Sequence, residues 1–214
     1  MKLLDRLERR YGRYAIENLI MIICAGQALV FMADIVTDYF VSDLMQLSWS
    51  MVMHGQVWRL ITFVFVPDSD TLLSMVISLY FYYMIGGALE NEWGSFQFDC
   101  FYVIAMLCQI IASIFSGYGF GSLINQSLFF AFALLYPNYQ VLLFYFIPIK
   151  VKWIALLDAL LYVYELVVYP GMRLNILLSL VPLIIFFGQD TVRRIRLYIN
   201  RRRNRQNYDY RYFR

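Results

Sequence analysis

The sequence predicts an all-α polytopic membrane protein, with about six spans in one membrane domain over residues 15–189. Two observations predict this fold. Of the 214 residues, 61% are hydrophobic and 15% are charged, whereas about a quarter of the residues in a soluble domain are charged. The charges also concentrate at the two ends of the chain, so the middle consists of apolar segments separated by short polar turns. At about 20 residues per crossing, that middle accommodates about six helices.

The apolar segments place the spans in order. The first runs from Ala15 to Val36 and follows a basic amphipathic leader, residues 1–14, which we expect to lie on the membrane surface. The stretch from Thr37 to Val66 is too polar to cross and too apolar to be a free loop. We expect it to be half embedded in one interface, a depth that suits Trp49 and Trp58. The remaining spans are predicted at Leu72–Leu89, Phe98–Phe115, Phe120–Tyr136, Val151–Tyr169 and Leu174–Phe187.

The basic residues predict the orientation, because cytoplasmic flanks of spans carry an excess of Lys and Arg. They cluster before the first span and after the last, so both termini are predicted to be cytoplasmic, which requires an even number of spans. In the leader they are Lys2, Arg6, Arg9, Arg10 and Arg13, and in the tail Arg193, Arg194, Arg196, Arg201, Arg202, Arg203, Arg205, Arg211 and Arg214. The basic, tyrosine-rich tail, residues 190–214, is expected to contact membrane lipid headgroups rather than nucleic acid. A compact chain without an appended domain favours a bacterial plasma membrane as the location.

Three local patterns follow one another through nearly half of the chain. They are Trp58-Arg59 in the interfacial stretch, Gly86, Glu90 and Gly94 at the end of the second span, and Tyr136-Pro137-Asn138 followed by Phe146-Ile147-Pro148-Ile149-Lys150. In this order and spacing they resemble the rhomboid superfamily. The resemblance implies a six-span rhomboid-like helix bundle, with the Trp-Arg motif in a loop sunk into the outer leaflet. It also places the glycines and the glutamate at a cytoplasmic helix end, where helices approach closely and a carboxylate accepts hydrogen bonds.

The resemblance fails at the catalytic positions. An active rhomboid uses a serine in a Gly-x-Ser-Gly setting on the fourth span and a histidine on the sixth as general base. Here the fourth span begins Gly121-Ser122-Leu123-Ile124-Asn125-Gln126-Ser127, with Asn125 near the nucleophile position, and the sixth span contains no histidine. The single histidine, His54, precedes the Trp-Arg motif and cannot easily substitute. Ser116, Ser122 and Ser127 are the local hydroxyls, and a serine without a base is a poor nucleophile.

Asn125 followed by Gln126 resembles the inactive, derlin-like branch, which retains the fold and binds membrane proteins. The resemblance therefore implies a pseudoprotease that recognises transmembrane helices of client proteins through a lateral opening. Its binding and structural residues would be Trp58, Arg59, Gly86, Glu90, Gly94, Asn125 and Gln126. No cofactor or metal is expected, since one histidine excludes a His-Glu-x-x-His zinc site. The alternative is a rhomboid-family intramembrane serine protease with a divergent active site and Ser127 as candidate nucleophile.

Several polar residues lie inside apolar segments and need partners, because unpaired polar groups in hydrocarbon are costly. They are Gln27, Gln109, Asn125, Gln126, Asp158 and Glu165. Asp158 and Glu165 are seven residues apart and would share one face of a helix. Two interpretations stay open. The face could form a proton or cation pathway, or one carboxylate could reach the outer interface while the other pairs with a neighbouring amide.

Overall fold

The computed structural model describes residues 10, 12–69, 71–143 and 147–188. Most of the predicted leader and all of the predicted tail, residues 190–214, lie outside these residues. Within them the all-α prediction is confirmed, since helices make up most of the described chain and the strands are confined to two small sheets.

The helices and strands of the described residues follow in chain order. The helices are α1 (Leu19–Thr37), α2 (Phe40–Met45), α3 (Trp49–Met53), α4 (Arg59–Thr62), α5 (Leu72–Trp93), α6 (Ser95–Ser116), α7 (Gly121–Leu135), α8 (Val151–Val168) and α9 (Arg173–Ser179). Short 3-10 turns lie at Gly12–Tyr14, Phe63–Phe65 and Pro170–Met172. The last turn and α9 belong to an apolar helical stretch, Pro170–Gly188, which we call the final segment. Antiparallel pairs join β1 (Leu47–Ser48) to β2 (Tyr118–Gly119) and β3 (Gln140–Leu143) to β4 (Ile147–Lys150).

Six of these elements alternate in direction through the bundle, namely α1, α5, α6, α7, α8 and the final segment. One end, which we call the amino-terminal end, collects the start of α1, the α5–α6 turn and the end of α7. There the Ile16 amide donates to Asp99 Oδ2 at 2.7 Å, and the Tyr136 hydroxyl donates to Glu92 Oε2 at 3.0 Å. At the opposite, distal end, the β1–β2 pair joins the loop after α1 to the loop after α6.

Four of the six elements are long and apolar enough to cross a membrane: α1, α5, α6 and the final segment. The helix α7 has 15 residues and spans only about 22 Å, less than the roughly 30 Å of a hydrocarbon core. The helix α8 carries Lys152, Asp158 and Glu165. The structure therefore shows a multi-pass helical membrane protein, and the count of six spans stays a prediction.

The turn between α5 and α6 is shorter than predicted. The second span was predicted to end at Leu89 and the third to begin at Phe98, but α5 continues to Trp93 and α6 begins at Ser95. Gly94 alone separates them, with φ 84° and ψ 154°, a conformation that favours glycine. The predicted spans stop short of these helix ends because an apolar run marks only the crossing itself, whereas residues 90–97 are the exposed and partly buried ends of the two helices.

The stretch between α1 and α5 folds into short helices instead of one irregular loop. Asp34, near the end of α1, accepts hydrogen bonds from the backbone amide and the hydroxyl of Ser42 in the first turn of α2. A carboxylate is stabilised there by the free amides of a helix start. Large apolar side chains remain exposed along the stretch, at Tyr39, Phe40, Leu44, Met51, Met53, Val57 and Ile61. Such a surface suits the predicted half-embedded position, which stays a prediction.

Candidate functional site

The helix α7 is covered by protein on all sides but one. From Leu123 to Ala133 every side chain is buried except those of Gln126 and Phe130. The accessible positions recur every fourth residue and therefore lie on one helix face. Ser122, Gln126, Phe130 and Leu134 form this face, which we call the α7 stripe.

The α7 stripe lies between α5 and α8. Both helices pack against α7, and they do not pack closely against each other. On one flank, the ring centroid of Phe129 lies 5.6 Å from that of Phe81 on α5, and on the other the ring of Phe130 lies 5.4 Å from that of Tyr162 on α8. We use the term lateral opening for the side of α7 that carries the α7 stripe, between these contacts with α5 and α8.

A polar pair occupies the α8 flank of the lateral opening. Gln126 Nε2 donates to Asp158 Oδ1 at 2.8 Å. Asp158 Oδ2 is buried and has no hydrogen-bond partner among the described residues. Glu165, two turns further along α8, makes no side-chain hydrogen bond within the same part of the chain. In one of the two interpretations of this face, one carboxylate pairs with a neighbouring amide. Gln126 is such an amide for Asp158.

Asn125 faces the opposite flank, although it is adjacent to Gln126 in sequence. Its Nδ2 donates to Asp68 Oδ2 at 3.3 Å, and the Tyr82 hydroxyl donates to the same oxygen at 3.4 Å. Asn125 is 1% exposed, and its Oδ1 has no partner in the described structure. The structure therefore does not bring Asn125 and Gln126 into one site.

A cavity of about 190 Å³ opens at the distal end of α7, beside the Asn125 contact. Asp68 and Ser122 line it, with Gln46, Phe63 and Phe120 among its other walls. Asp68 lies in the loop before α5; the residue is exposed overall, and its carboxyl group lies against Asn125 and Tyr82. Burial of this carboxyl group raises the pKa of Asp68 to about 6, against the opposing effect of the hydrogen bonds from Asn125 and Tyr82.

The three candidate hydroxyls have different environments. Ser127, the candidate nucleophile of the protease alternative, is fully buried, and its hydroxyl donates to the Ile124 carbonyl at 2.7 Å. Ser116 donates to carbonyl groups at the end of α6 and just beyond it. Ser122 faces the cavity. A protease site on this chain would therefore use Ser122 in preference to Ser127.

His54 lies on the interfacial stretch, at the end of α3. It is exposed, and its Nδ1 lies 2.7 Å from the Ser50 carbonyl oxygen within its own helix. It makes no hydrogen bond to a serine of α6 or α7 among the described contacts. That His54 does not act as a base there stays a prediction.

The Trp58-Arg59 motif holds the end of α2. Three side chains donate to four successive carbonyl oxygens: Trp58 Nε1 to Leu44 (3.3 Å), Arg59 Nη1 to Asp43 (2.6 Å) and Gln46 (2.7 Å), and Thr62 Oγ1 to Met45 (3.1 Å). The last carbonyls of a helix have no partner inside it, so these donors satisfy them. Arg59 is only 5% exposed, so it is buried within the interfacial stretch.

Gly86, Glu90 and Gly94 join α5 to α1 and α6 at the amino-terminal end. A Cβ atom at Gly86 would overlap the side chain of Ile20, so glycine permits the close approach of α1 and α5. Glu90 Oε1 accepts from the Asn18 amide at 2.9 Å and from the Ser95 hydroxyl at 2.6 Å. In this structure the motif organises the helix ends.

A family comparison covers most of the chain. The model of the family described as "Eukaryotic integral membrane protein (DUF1751)" matches residues 17–188. The chain belongs to this family. The match extends from the start of α1 through the final segment, so it includes the lateral opening and the cavity. No curated protein matches the chain.

Membership in DUF1751 corrects the predicted location. The family is described as eukaryotic, so the bacterial plasma membrane prediction is wrong. That prediction depended on the compactness of the chain, which does not distinguish the two kinds of cell. The multi-pass integral membrane part of the prediction agrees with the family.

The sequence reasoning missed two polar residues that the fold of this DUF1751 protein uses. Asp68, between the interfacial stretch and the second predicted span, was given no role, and Asn175 was passed over within the sixth span. Gln109 Nε2 donates to the Asn175 carbonyl at 3.1 Å, and Asn175 Nδ2 donates to Gln109 Oε1 at 3.3 Å and to the Tyr118 carbonyl at 2.8 Å. The criterion that selected Gln109, a polar side chain in an apolar run, applies equally to Asn175.

Proposed function

We propose that this protein is a rhomboid-like, proteolytically inactive membrane protein that binds transmembrane helices of client proteins at the lateral opening. The α7 stripe carries the proposal. A central helix that is covered except along one face leaves a surface that a helix moving in the membrane plane can reach. Helix association in lipid depends on such close packing and on interhelical hydrogen bonds, and the stripe supplies Phe130 and Leu134 for the first and Gln126 for the second.

Two placements support the rhomboid-like part of the proposal. The Trp58-Arg59 motif lies in the interfacial stretch near the distal end, and Gly86, Glu90 and Gly94 lie toward the opposite end of the bundle. The resemblance implies this distribution of the two motifs. The α7 helix, short and central, begins at the segment that carries the nucleophile in active rhomboids.

The state of the catalytic positions supports inactivity. Asn125, near the expected nucleophile position, is a buried amide that contacts Asp68. Ser127 is buried with its hydroxyl bonded inside α7. The final segment contains no imidazole in its sequence, and the single histidine is exposed on the interfacial stretch. Without a base, none of these groups is an activated nucleophile.

Site-specific photo-crosslinking in lipid tests client binding at the opening. Leu134 on the α7 stripe and Leu160 on the outer face of α8 make a matched pair, because they are the same residue type and are 60% and 61% exposed. A photoreactive side chain at position 134 is expected to crosslink single-span reporter helices several-fold more than one at position 160. Equal crosslinking at both positions, or none at either, would contradict the proposal.

Ser122 favours a second candidate, an intramembrane serine protease. Its side chain lines the same cavity as Asp68, at the start of α7. Purified protein in lipid, mixed with single-span reporters, is expected to leave them uncut if the binding proposal holds. Cleavage that disappears in Ser122→Ala, while Ser116→Ala and Ser127→Ala retain it, would replace the binding proposal with the protease.

A further inference from the structure

We infer that the preferred clients carry a lysine or arginine near the middle of their transmembrane helix, and that this cation pairs with Asp158 beside the α7 stripe. The inference deepens the proposed function and rests on it. It begins from a carboxyl group inside a membrane-spanning bundle that has one hydrogen bond, from Gln126 at 2.8 Å, and one buried oxygen without a partner.

The chain supplies no cation to Asp158 among its described residues. Lys152 lies nearer the amino-terminal end of α8, with its Nζ 5.5 Å from the centre of the Trp153 ring. Arg173, beyond the other end of α8, donates to the Leu166 and Val167 carbonyls. An acidic group in a bundle core is normally paired, and where the fold leaves it unpaired a binding partner is the natural source of the opposite charge.

The position of the pair makes that partner a helix in the lateral opening. Gln126 belongs to the accessible stripe and holds the Asp158 carboxyl group, and its own amide oxygen makes no hydrogen bond in the described structure. A cationic side chain that enters between α7 and α8 would find two acceptors, Gln126 Oε1 and Asp158 Oδ2. The depth of the pair also suits a charge near the middle of a client helix, because Gln126 and Asp158 both lie several residues from the ends of their helices.

The length of the side chain selects lysine and arginine among possible donors. Asp158 Oδ2 is buried, so a donor on a short stem, such as a serine or threonine hydroxyl on an approaching helix, cannot reach it. Lysine and arginine carry their charge on a long flexible stem that extends along apolar surface. A lone lysine in the middle of a span is also unfavourable in lipid, so a client that carries one gains by pairing.

The experiment uses single-span reporter helices that differ at one central residue, leucine, lysine, glutamate or serine, captured by the purified full-length protein in lipid. The lysine reporter is expected to be retained roughly 3- to 20-fold better than the leucine reporter, the range of interhelical polar interactions in bilayers. In Asp158→Asn this excess should disappear, so that the lysine and leucine reporters are retained equally by that variant. Asp158→Glu, which keeps the charge, should retain the excess.

The reporters also separate this inference from the proposed function. If leucine and lysine reporters are retained equally, or if the lysine excess survives in Asp158→Asn, the cation inference is wrong and helix binding stands. An excess for serine that equals the excess for lysine would also overturn it, because the short donor should not reach Oδ2. If no reporter is retained by the wild-type protein, the proposed function is wrong, and the inference that rests on it is wrong as well.

Discussion

The side-chain amide of Asn125 donates to the carboxyl group of Asp68 at 3.3 Å, and this contact joins α7 to the loop that leads into α5. Asn125 Oδ1, on the same buried amide, has no donor in the described structure. The hydrogen bonds that Asn125 and Tyr82 donate favour the carboxylate form of Asp68. The pKa of Asp68 is nevertheless raised, because burial of the carboxyl group opposes these hydrogen bonds and outweighs them.

The first prediction is that the protein becomes more stable as the pH falls toward 5. The folded protein raises the pKa of Asp68 to about 6, and the unfolded value is near 3.9. The folded state therefore holds this proton more tightly, and the stability that it contributes is present below about pH 4 and is lost as the pH rises through 6. Because Asp68 is exposed to the cavity, we expect only about 1 kcal/mol between pH 5 and pH 7.5.

Thermal unfolding in lipid nanodiscs checks this prediction. A change of about 1 kcal/mol corresponds to a rise in Tm of roughly 2–4 °C on acidification. Asp68→Asn, which is neutral at both pH values, should remove most of that rise. Asp43→Asn, an exposed acid on the interfacial stretch, is the control and should leave the rise in place. A pH response that is unchanged in Asp68→Asn would show that another group is responsible.

The apolar helices could be read from the sequence because each is set by a local property, the run of apolar residues that lipid requires. The cavity could not be predicted from the sequence in this way. Asp68 lies in a Pro-Asp-Ser turn, where an acid is ordinarily solvated, and only the approach of α7 places Asn125 against it. The same limit applies to Arg59: the motif was evident, but its two acceptor carbonyls belong to residues 13 and 16 positions earlier.

The α7 stripe shows the same limit. Gln126 is one polar residue in an apolar span, and its sequence neighbours do not reveal which face of the helix stays accessible. That depends on how α5 and α8 pack against α7, and both helices lie outside the local sequence of α7. A four-residue spacing within α7 is uninformative until its neighbours are placed.

The second prediction concerns Arg59, whose removal should loosen the interfacial stretch. Arg59→Ala leaves the Asp43 and Gln46 carbonyls without their donor, and we expect the unfolding free energy to fall by about 3 kcal/mol. Arg59→Lys should recover only part of this loss, because an ammonium cannot reproduce the planar fork of donors. Arg173→Ala is a matched control, since Arg173 also donates to carbonyls at a helix end but is exposed. We expect its effect to stay within about 0.5 kcal/mol.

Unfolding in mixed micelles measures these energies, and limited proteolysis between α2 and α4 reports on the local structure. Arg59→Ala should be cut faster in that region than the wild-type protein. If Arg59→Ala and Arg173→Ala have equal effects on stability and cleavage, the capping role of Arg59 is wrong.

The third prediction compares two adjacent glycines of α5. A Cβ at Gly86 would overlap Ile20 on α1, whereas a Cβ at Gly87 has no atom within 4 Å. Gly86→Ala should therefore destabilise the protein by about 1–3 kcal/mol through overpacking. Gly87→Ala should be neutral or stabilise by up to about 1 kcal/mol, because alanine is the better helix former. Thermal unfolding of both variants checks the pair, and Gly86→Ala at or above the wild-type Tm would contradict the α1–α5 contact.

The fourth prediction is that Gln109 and Asn175 act as a coupled pair between α6 and the final segment. Both are fully buried, and each donates to the other residue. Gln109→Leu leaves the Asn175 carbonyl without the Gln109 donor, and Asn175→Leu leaves Gln109 Oε1 without the Asn175 donor, so each variant should destabilise the protein. The double variant should lose less than the two single losses combined, with a coupling energy of about 0.6 kcal/mol or more. A double-mutant cycle in mixed micelles measures it, and strict additivity would show that the two amides do not stabilise each other. Asn175 also donates to the Tyr118 carbonyl at 2.8 Å, so Asn175→Leu should cost more than Gln109→Leu, because that carbonyl then keeps only the donor from Ser116.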